Sequence, residues 1–226
     1  MREIEGFNFH PEGLSEKQEK FCSQLFEIRA IKFGNFKLKL HEKHPEAPLS
    51  PIYIDMRIIR KYPEVKKTAV DVYEKLVSPL KFDLIADIPT SITPIVSSIS
   101  DRLGVGMITP RTDSKTHGTG AKIDGFQESD KGKTVVIFDD LITSGASIEE
   151  GVNILVPAGL NVKDVVLAMD REQGGRERLE KEGLNVRVAF TMTQMLNFYA
   201  RVERLSDGAL QDIKQRLNIL NTFIEV

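Results

Sequence analysis

Apolar residues change their spacing several times along the 226-residue chain, and each change marks an element. Between residues 15 and 30, Phe21, Leu25 and Ile28 recur on one side of a helix that Ser15 opens as a cap. Residues 36–40 then alternate as a half-buried strand does, and residues 50–55 can pair with them across a polar, proline-containing connection. From 63 to 77, Val65, Ala69, Val72 and Leu76 return at helical intervals behind Pro63. A strand at 82–88, a helix at 94–103 and a strand at 105–109 follow. After a stretch without period, Val135, Val136, Ile137 and Phe138 form the continuous β-prone run expected of a parallel strand buried on both faces. Ile148, Val152, Leu155 and Val156 then mark one helix face, succeeded by a strand at 162–169, a helix at 172–182 and a strand at 186–190. Last, Leu210, Ile213, Leu217 and Leu220 space residues 207–226 as an amphipathic helix that covers core or a subunit interface. Alternation this regular predicts an α/β fold, with a central, mostly parallel sheet flanked by helices.

Composition narrows the class without deciding the chemistry. With 41% hydrophobic and 28% charged residues, a chain of this length buries one substantial core and leaves little for a second domain. A net charge of −2 offers no basic field for nucleic acid or anionic membrane. No apolar run reaches the roughly 18 residues that span a bilayer, and the acidic start does not read as a signal peptide. The lone Cys22 rules out a disulfide within the chain and suits a buried thiol in a reducing cytoplasm.

Candidate chemistry concentrates at residues 134–147. The apolar strand ends in Asp139 and Asp140, at the carboxyl edge where open α/β sheets bind ligands. The following Thr143, Ser144, Gly145, Ala146 and Ser147 lead into the next helix, so hydroxyls and free N–H groups gather at its positive end, where a phosphate dianion is held. The competing reading is a strand end, a turn and a helix cap, but a cap accounts for one polar side chain rather than two carboxylates and three hydroxyls. Neither G-x-x-x-x-G-K-[ST] nor G-x-G-x-x-G occurs, so ATP hydrolysis and dinucleotide binding lack support. His41 and His44 read as solvated loop residues, without the Cys or HExxH-like company of a metal site.

The same segment resembles the phosphoribosyl pyrophosphate (PRPP) motif of the type I phosphoribosyltransferases. That resemblance implies that Asp139 and Asp140 hold the ribose hydroxyls while Thr143, Ser144, Gly145, Ala146 and Ser147 cradle the 5′-phosphate. It narrows to the orotate phosphoribosyltransferase family through Phe33-Gly34-Asn35-Phe36-Lys37-Leu38-Lys39, Ile88-Pro89-Thr90-Ser91-Ile92-Thr93-Pro94, Arg111-Thr112-Asp113-Ser114-Lys115-Thr116-His117-Gly118 and Met169-Asp170-Arg171-Glu172-Gln173-Gly174-Gly175-Arg176. The chain departs from the family pattern at Thr112, where a lysine is usual, and at Lys39-Leu40-His41, where the turn is usually Lys-Ser-Gly.

The resemblance implies one domain over 1–226: an N-terminal helix and hood strands at 1–60, an α/β core at 61–200 with a mobile loop at about 110–133, and a helical extension at 201–226. It implies a homodimer whose loop closes over the neighbouring subunit's site, with Lys115, Arg111 and His117 acting on pyrophosphate and Ser91 adding a contact. Residues alone allow either a lid or a flexible surface insertion there, since Gly118, Gly120, Gly125 and Gly132 preclude a helix. The base, orotate, falls to Lys39, which can contact PRPP instead, and to Thr143 and Arg171, a guanidinium fork suiting a planar carboxylate; Arg171 pairing with Asp170 or Glu172 is the alternative. Mg²⁺ is the implied cofactor, held mainly by PRPP and reached through water from Asp139 or Asp140. A phosphoribosyltransferase for a purine or uracil, and a noncatalytic nucleotide sensor, are the competing functions.

Overall fold

A computed structural model describes residues 13–111 and 122–224. Its centre is a six-stranded sheet in the order β5-β4-β3-β6-β7-β8. Here β3 is Leu84–Asp87, β4 Gly106–Pro110, β5 Ile123–Asp124, β6 Thr134–Ile142, β7 Asn161–Asp170 and β8 Asn185–Thr191. Only β5 runs antiparallel, at the edge. The helices are α1 (Glu16–Glu27), α2 (Leu40–Lys43), α3 (Pro63–Val77), α4 (Thr93–Leu103), α5 (Ala146–Leu155), α6 (Gly175–Lys181), α7 (Met192–Arg201) and α8 (Asp207–Asn221). Strands β1 (Ile31–Phe36) and β2 (Ser50–Ile54) form a separate antiparallel pair, with Phe33 opposite Ile52 and Phe36 opposite Ser50.

Strand alternation sorts the core into two layers. Ile85, Val136, Phe138, Val166 and Ala168 face Phe21 and Leu25 of α1, Tyr73 and Leu76 of α3, Ile99 of α4 and Leu196 of α7. Their neighbours Leu84, Ala86, Val135, Ile137, Val165 and Leu167 face Ile148 and Leu155 of α5 and Leu179 of α6. Period-2 side chains on strands buried from both sides require this division. The predicted helical faces of residues 63–77 and 207–226 are buried as expected. Val156 is the exception: α5 ends at Leu155, and Val156 is 48% exposed.

Four sequence expectations need correction. The strand placed at 36–40 lies at Ile31–Phe36, because Leu40–Lys43 turn into α2. His41 is buried rather than solvated: Nδ1 accepts from the Leu38 N–H at 2.9 Å while Nε2 donates to the Pro48 carbonyl at 3.2 Å. The helix expected from 172 begins at Gly175, since Asp170 instead caps the Glu172 N–H and Glu172 takes a left-handed φ of 56°. Finally, the latter part of the expected loop is folded: Pro110 pairs with Ile123 and Thr109 with Asp124, and a 3-10 turn follows at Glu128–Asp130. Helix α7, which the spacing analysis did not separate from its surroundings, opens on a capping box between Thr191 and Gln194.

Candidate active site

Strand β6 carries the acidic pair to the carboxyl edge and runs on to Ile142. Asp139 is buried, and its Oδ1 accepts the Asp140 N–H at 2.8 Å; the half-buried Asp140 accepts the Leu141 N–H at 2.8 Å. Beneath them Tyr73 of α3 donates its hydroxyl to the Asp139 carbonyl at 2.8 Å. Burial, and secondarily the neighbouring Asp140 carboxylate, push the Asp139 carboxyl well above its ordinary range. After Ile142 the chain turns through Thr143 and Ser144 to Gly145, whose φ of 82° is open to glycine and admits the chain into α5. The result is a small hollow of about 50 Å³ lined by Asp139 and by Thr143, Ser144, Gly145, Ala146 and Ser147, with Leu141, Ile142 and Ile148 at its walls. All five predicted phosphate residues therefore gather at one place, and Asp140 adjoins it.

This loop is braced from behind by α6. Gly175 N–H donates to the Thr143 carbonyl at 2.9 Å, so close that a Cβ on Gly175 would stand 2.2 Å from that oxygen and 2.6 Å from the Ser144 carbonyl carbon. Arg178, paired with Glu149, reaches the Ser144 carbonyl at 3.5 Å. Gly175 was visible in sequence as part of a motif, but its contact with a loop some 30 residues earlier was not.

On the opposite flank, the fully buried Asp87 ends β3 and accepts from the hydroxyls of Thr93 and Thr109. It thereby fastens the turn at 88–93 to β4. Ser91 sits half-buried in that turn, whose Pro89–Thr90 peptide is cis, and Arg60 donates to the Thr90 carbonyl at 2.9 Å. Asp87, Tyr73 and Arg60 were not singled out from the sequence; an acidic residue ending an apolar strand was the only available signal, and it belonged to Asp87. Arg111 is half-buried at the end of β4, bonded through its N–H to the Lys122 carbonyl at 2.8 Å and paired with Asp124 at 3.3 Å. Lys115 and His117 lie outside the described residues.

Arg171 follows β7 and donates its N–H to the Ile142 carbonyl at 3.1 Å, which sets it next to the start of the hydroxyl-lined loop at Thr143. Its Nε and Nη2 are out of contact with water and have no hydrogen-bond partner among the described residues. The alternative pairing with Asp170 or Glu172 does not form: Asp170 accepts the Glu172 N–H at 2.7 Å, and Glu172 accepts the Thr193 N–H at 2.7 Å. Burial pushes the Arg171 guanidinium down to about 10, which leaves it charged at neutral pH. Lys39 is exposed on the segment between β1 and α2, on the hood side.

A parallel sheet whose central strand carries two aspartates near its carboxyl end, followed by a hydroxyl-lined loop and a helix start, defines the type I phosphoribosyltransferase class. No family model matches the chain. Two curated relatives and one solved structure go further. The chain is 35% identical over 184 residues to a Nostoc protein named bifunctional enzyme PyrF/PyrE, covering 81% of this chain but only 37% of that one. It is 33% identical over 183 residues to a Caenorhabditis elegans orotate phosphoribosyltransferase, covering 80% of this chain and 77% of that one. Its fold matches the UMP synthase of Leishmania donovani with a TM-score of 0.77 at 31% identity, over 89% of this chain and 42% of that one. The chain belongs to the orotate phosphoribosyltransferase family.

Proposed function

We propose that the chain transfers the phosphoribosyl group from PRPP to orotate, giving orotidine 5′-monophosphate and pyrophosphate, a step of pyrimidine nucleotide synthesis. The observation that carries this reading is Arg171, a buried guanidinium with two nitrogens unpartnered among the described residues, beside the phosphate loop. An unpaired buried charge is unfavourable, and a planar carboxylate satisfies the guanidinium fork. Orotate has that carboxylate; adenine, hypoxanthine and uracil do not. Thr143 at the loop start and Lys39 on the hood complete the base site in this reading.

PRPP takes the hollow: the 5′-phosphate against Thr143, Ser144, Gly145, Ala146 and Ser147, with the ribose hydroxyls donating to Asp139 and Asp140. A ring nitrogen of orotate attacks C1′ as the bond to pyrophosphate breaks. Because cleavage runs ahead of bond formation, positive charge builds on the ribose near the two carboxylates while negative charge builds on the leaving group. Ser91, Arg111, Lys115 and His117 receive that leaving group. Arg111 first gives up Asp124, an exposed ion pair of a kind worth only about 0–1 kcal/mol.

The donor set fits Mg²⁺. Asp139 and Asp140 are hard oxygen donors whose mutual repulsion a dication would relieve. Because Mg²⁺ keeps much of its water and binds through one or two carboxylates plus phosphates, PRPP would hold most of it, with Asp139 or Asp140 the residues that would hold it from the protein side, through water. Bound there, it would supply charge neutralisation at the departing oxygens. A homodimer in which the segment between β4 and β5, carrying Lys115 and His117, closes on the neighbouring site, and a cytoplasmic setting suited to the single buried Cys22, belong to the same reading. No helix among the described residues is long and apolar enough to cross a membrane.

The test is pyrophosphate release from PRPP and Mg²⁺ with orotate, adenine, hypoxanthine and uracil supplied in turn. Release with orotate alone is expected; release with another base, or with none of the four, overturns the assignment.

A further inference from the structure

Helix α8 touches both walls of the proposed base site, and we propose that it holds them at their working separation, with Asn221 and Arg216 as positioning residues. This inference rests on the reading of Arg171 and Lys39 given above. Near its end, Asn221 accepts from the Gln173 side-chain amide at 3.0 Å and donates to the Glu172 carbonyl at 3.5 Å. Gln173 is buried, and Glu172 directly follows Arg171. The segment beside Arg171 is thus held from three directions: by the Asp170 carboxylate on the Glu172 N–H, by the Thr193 N–H on the Glu172 carboxylate, and by Asn221. The first two belong to β7 and α7, and the third comes from α8.

The other wall is held by Arg216, five residues earlier. Its Nη2 reaches Asn35 Oδ1 at 2.5 Å, the Leu49 carbonyl at 3.2 Å and the Gly34 carbonyl at 3.4 Å, while Asp212 one turn back braces the guanidinium at 3.6 Å. These acceptors belong to β1 and to the residue preceding β2, the pair whose continuation carries Lys39. That pair shares no strand hydrogen bonding with the six-stranded sheet. The pair packs into the main core through Ile31, Ile52 and Ile54, and helix α8, seated in that core by Leu210, Ile213 and Leu217, adds a polar link from it to the segment beside Arg171. Recognition of a small planar anion by two cations on separate elements depends on their spacing, so loosening either end of this strut should weaken the base and spare PRPP.

Steady-state kinetics of Asn221→Ala, Asn221→Asp, Arg216→Ala and wild type test this. Asn221→Ala and Arg216→Ala should each raise KM for orotate by roughly 3–10-fold, the scale of one lost hydrogen bond, with KM for PRPP within about twofold of wild type. Asn221→Asp keeps the acceptor for Gln173 and should return KM for orotate to within about twofold of wild type. Equal shifts in both KM values, or a fall in Tm with both unchanged, would overturn the proposal. A second readout needs no turnover: amides of residues 171–175 should exchange with solvent about tenfold faster in Asn221→Ala. Unaltered exchange there removes the strut whatever the substrate, whereas faster exchange in a wild-type background inactive on orotate keeps the strut and defeats only the assignment of the base.

Discussion

Asp139 is placed where ligand binding and stability pull in opposite directions. Its carboxyl is buried and pushed up from 3.8, so the folded chain retains a proton that the unfolded chain releases. The sign follows: this contribution is complete below the ordinary carboxylate value and is lost as pH rises through the raised folded one. Asp139→Asn should therefore abolish PRPP binding by calorimetry yet raise Tm of the ligand-free protein at neutral pH, by on the order of 1 kcal/mol or roughly 2–4 °C. The gap in Tm between wild type and variant should widen as pH is raised above the ordinary carboxylate value, until the raised folded one is passed; parallel curves would show that Asp139 is not strained by burial. Arg171 gives a second test at this scale. Arg171→Ala should raise KM for orotate by roughly 10–150-fold, the scale of a lost charge-assisted hydrogen bond, and Arg171→Lys should recover only part because a point charge lacks the fork. A variant that weakens PRPP alone would remove Arg171 from the base site. Both residues were legible in the sequence, since carboxylates after an apolar strand and a cation at a strand end carry their own signal. Tyr73 and Asp87 were not, because what matters about them is a partner on another element: Asp139, 66 positions away, for Tyr73, and Thr109 for Asp87.

Elements were read well where periodicity was strong and poorly where short-range polar bonds decided the boundary. Leu38 and Leu40 alternate with lysines as a strand would, but His41 hydrogen bonds to Leu38 and Pro48 wind that segment into α2 instead. The glycines of residues 110–133 suggested one long loop; Gly125, at a φ of 81°, instead packs against the Met107 carbonyl and lets β5 join the sheet edge. Contact between elements also makes Gly175 a sharp test. A methyl there cannot fit 2.2 Å from the Thr143 carbonyl, so Gly175→Ala must displace either α6 or the proposed phosphate loop. PRPP affinity should fall by about tenfold or more, with stability lower by roughly 1–3 kcal/mol. Unchanged PRPP binding would mean that the loop is not braced by α6.

At the scale of the whole molecule, the proposed loop in trans makes a prediction that no single subunit can satisfy. In that proposal Lys115→Ala removes a loop cation and Asp139→Asn the ribose contact, so a mixed dimer has one site with both groups intact. Mixing and re-equilibrating the two inactive variants should restore activity toward about a quarter of wild type if association is statistical; no recovery would place each loop over its own site. What the amino-acid sequence determined by itself was the succession of the strongly periodic strands and helices, without α2, β5 and α7, together with the acidic pair, its hydroxyl loop and the cation at residue 171, because each is written in residues adjacent or a few positions apart. What only the tertiary structure decided was how these are held: Tyr73 beneath Asp139, Gly175 behind Thr143, and α8 between the hood and the arm. Those contacts join positions tens to hundreds of residues apart, and their hydrogen bonds and close approaches exist only once the sheet has brought its carboxyl ends together.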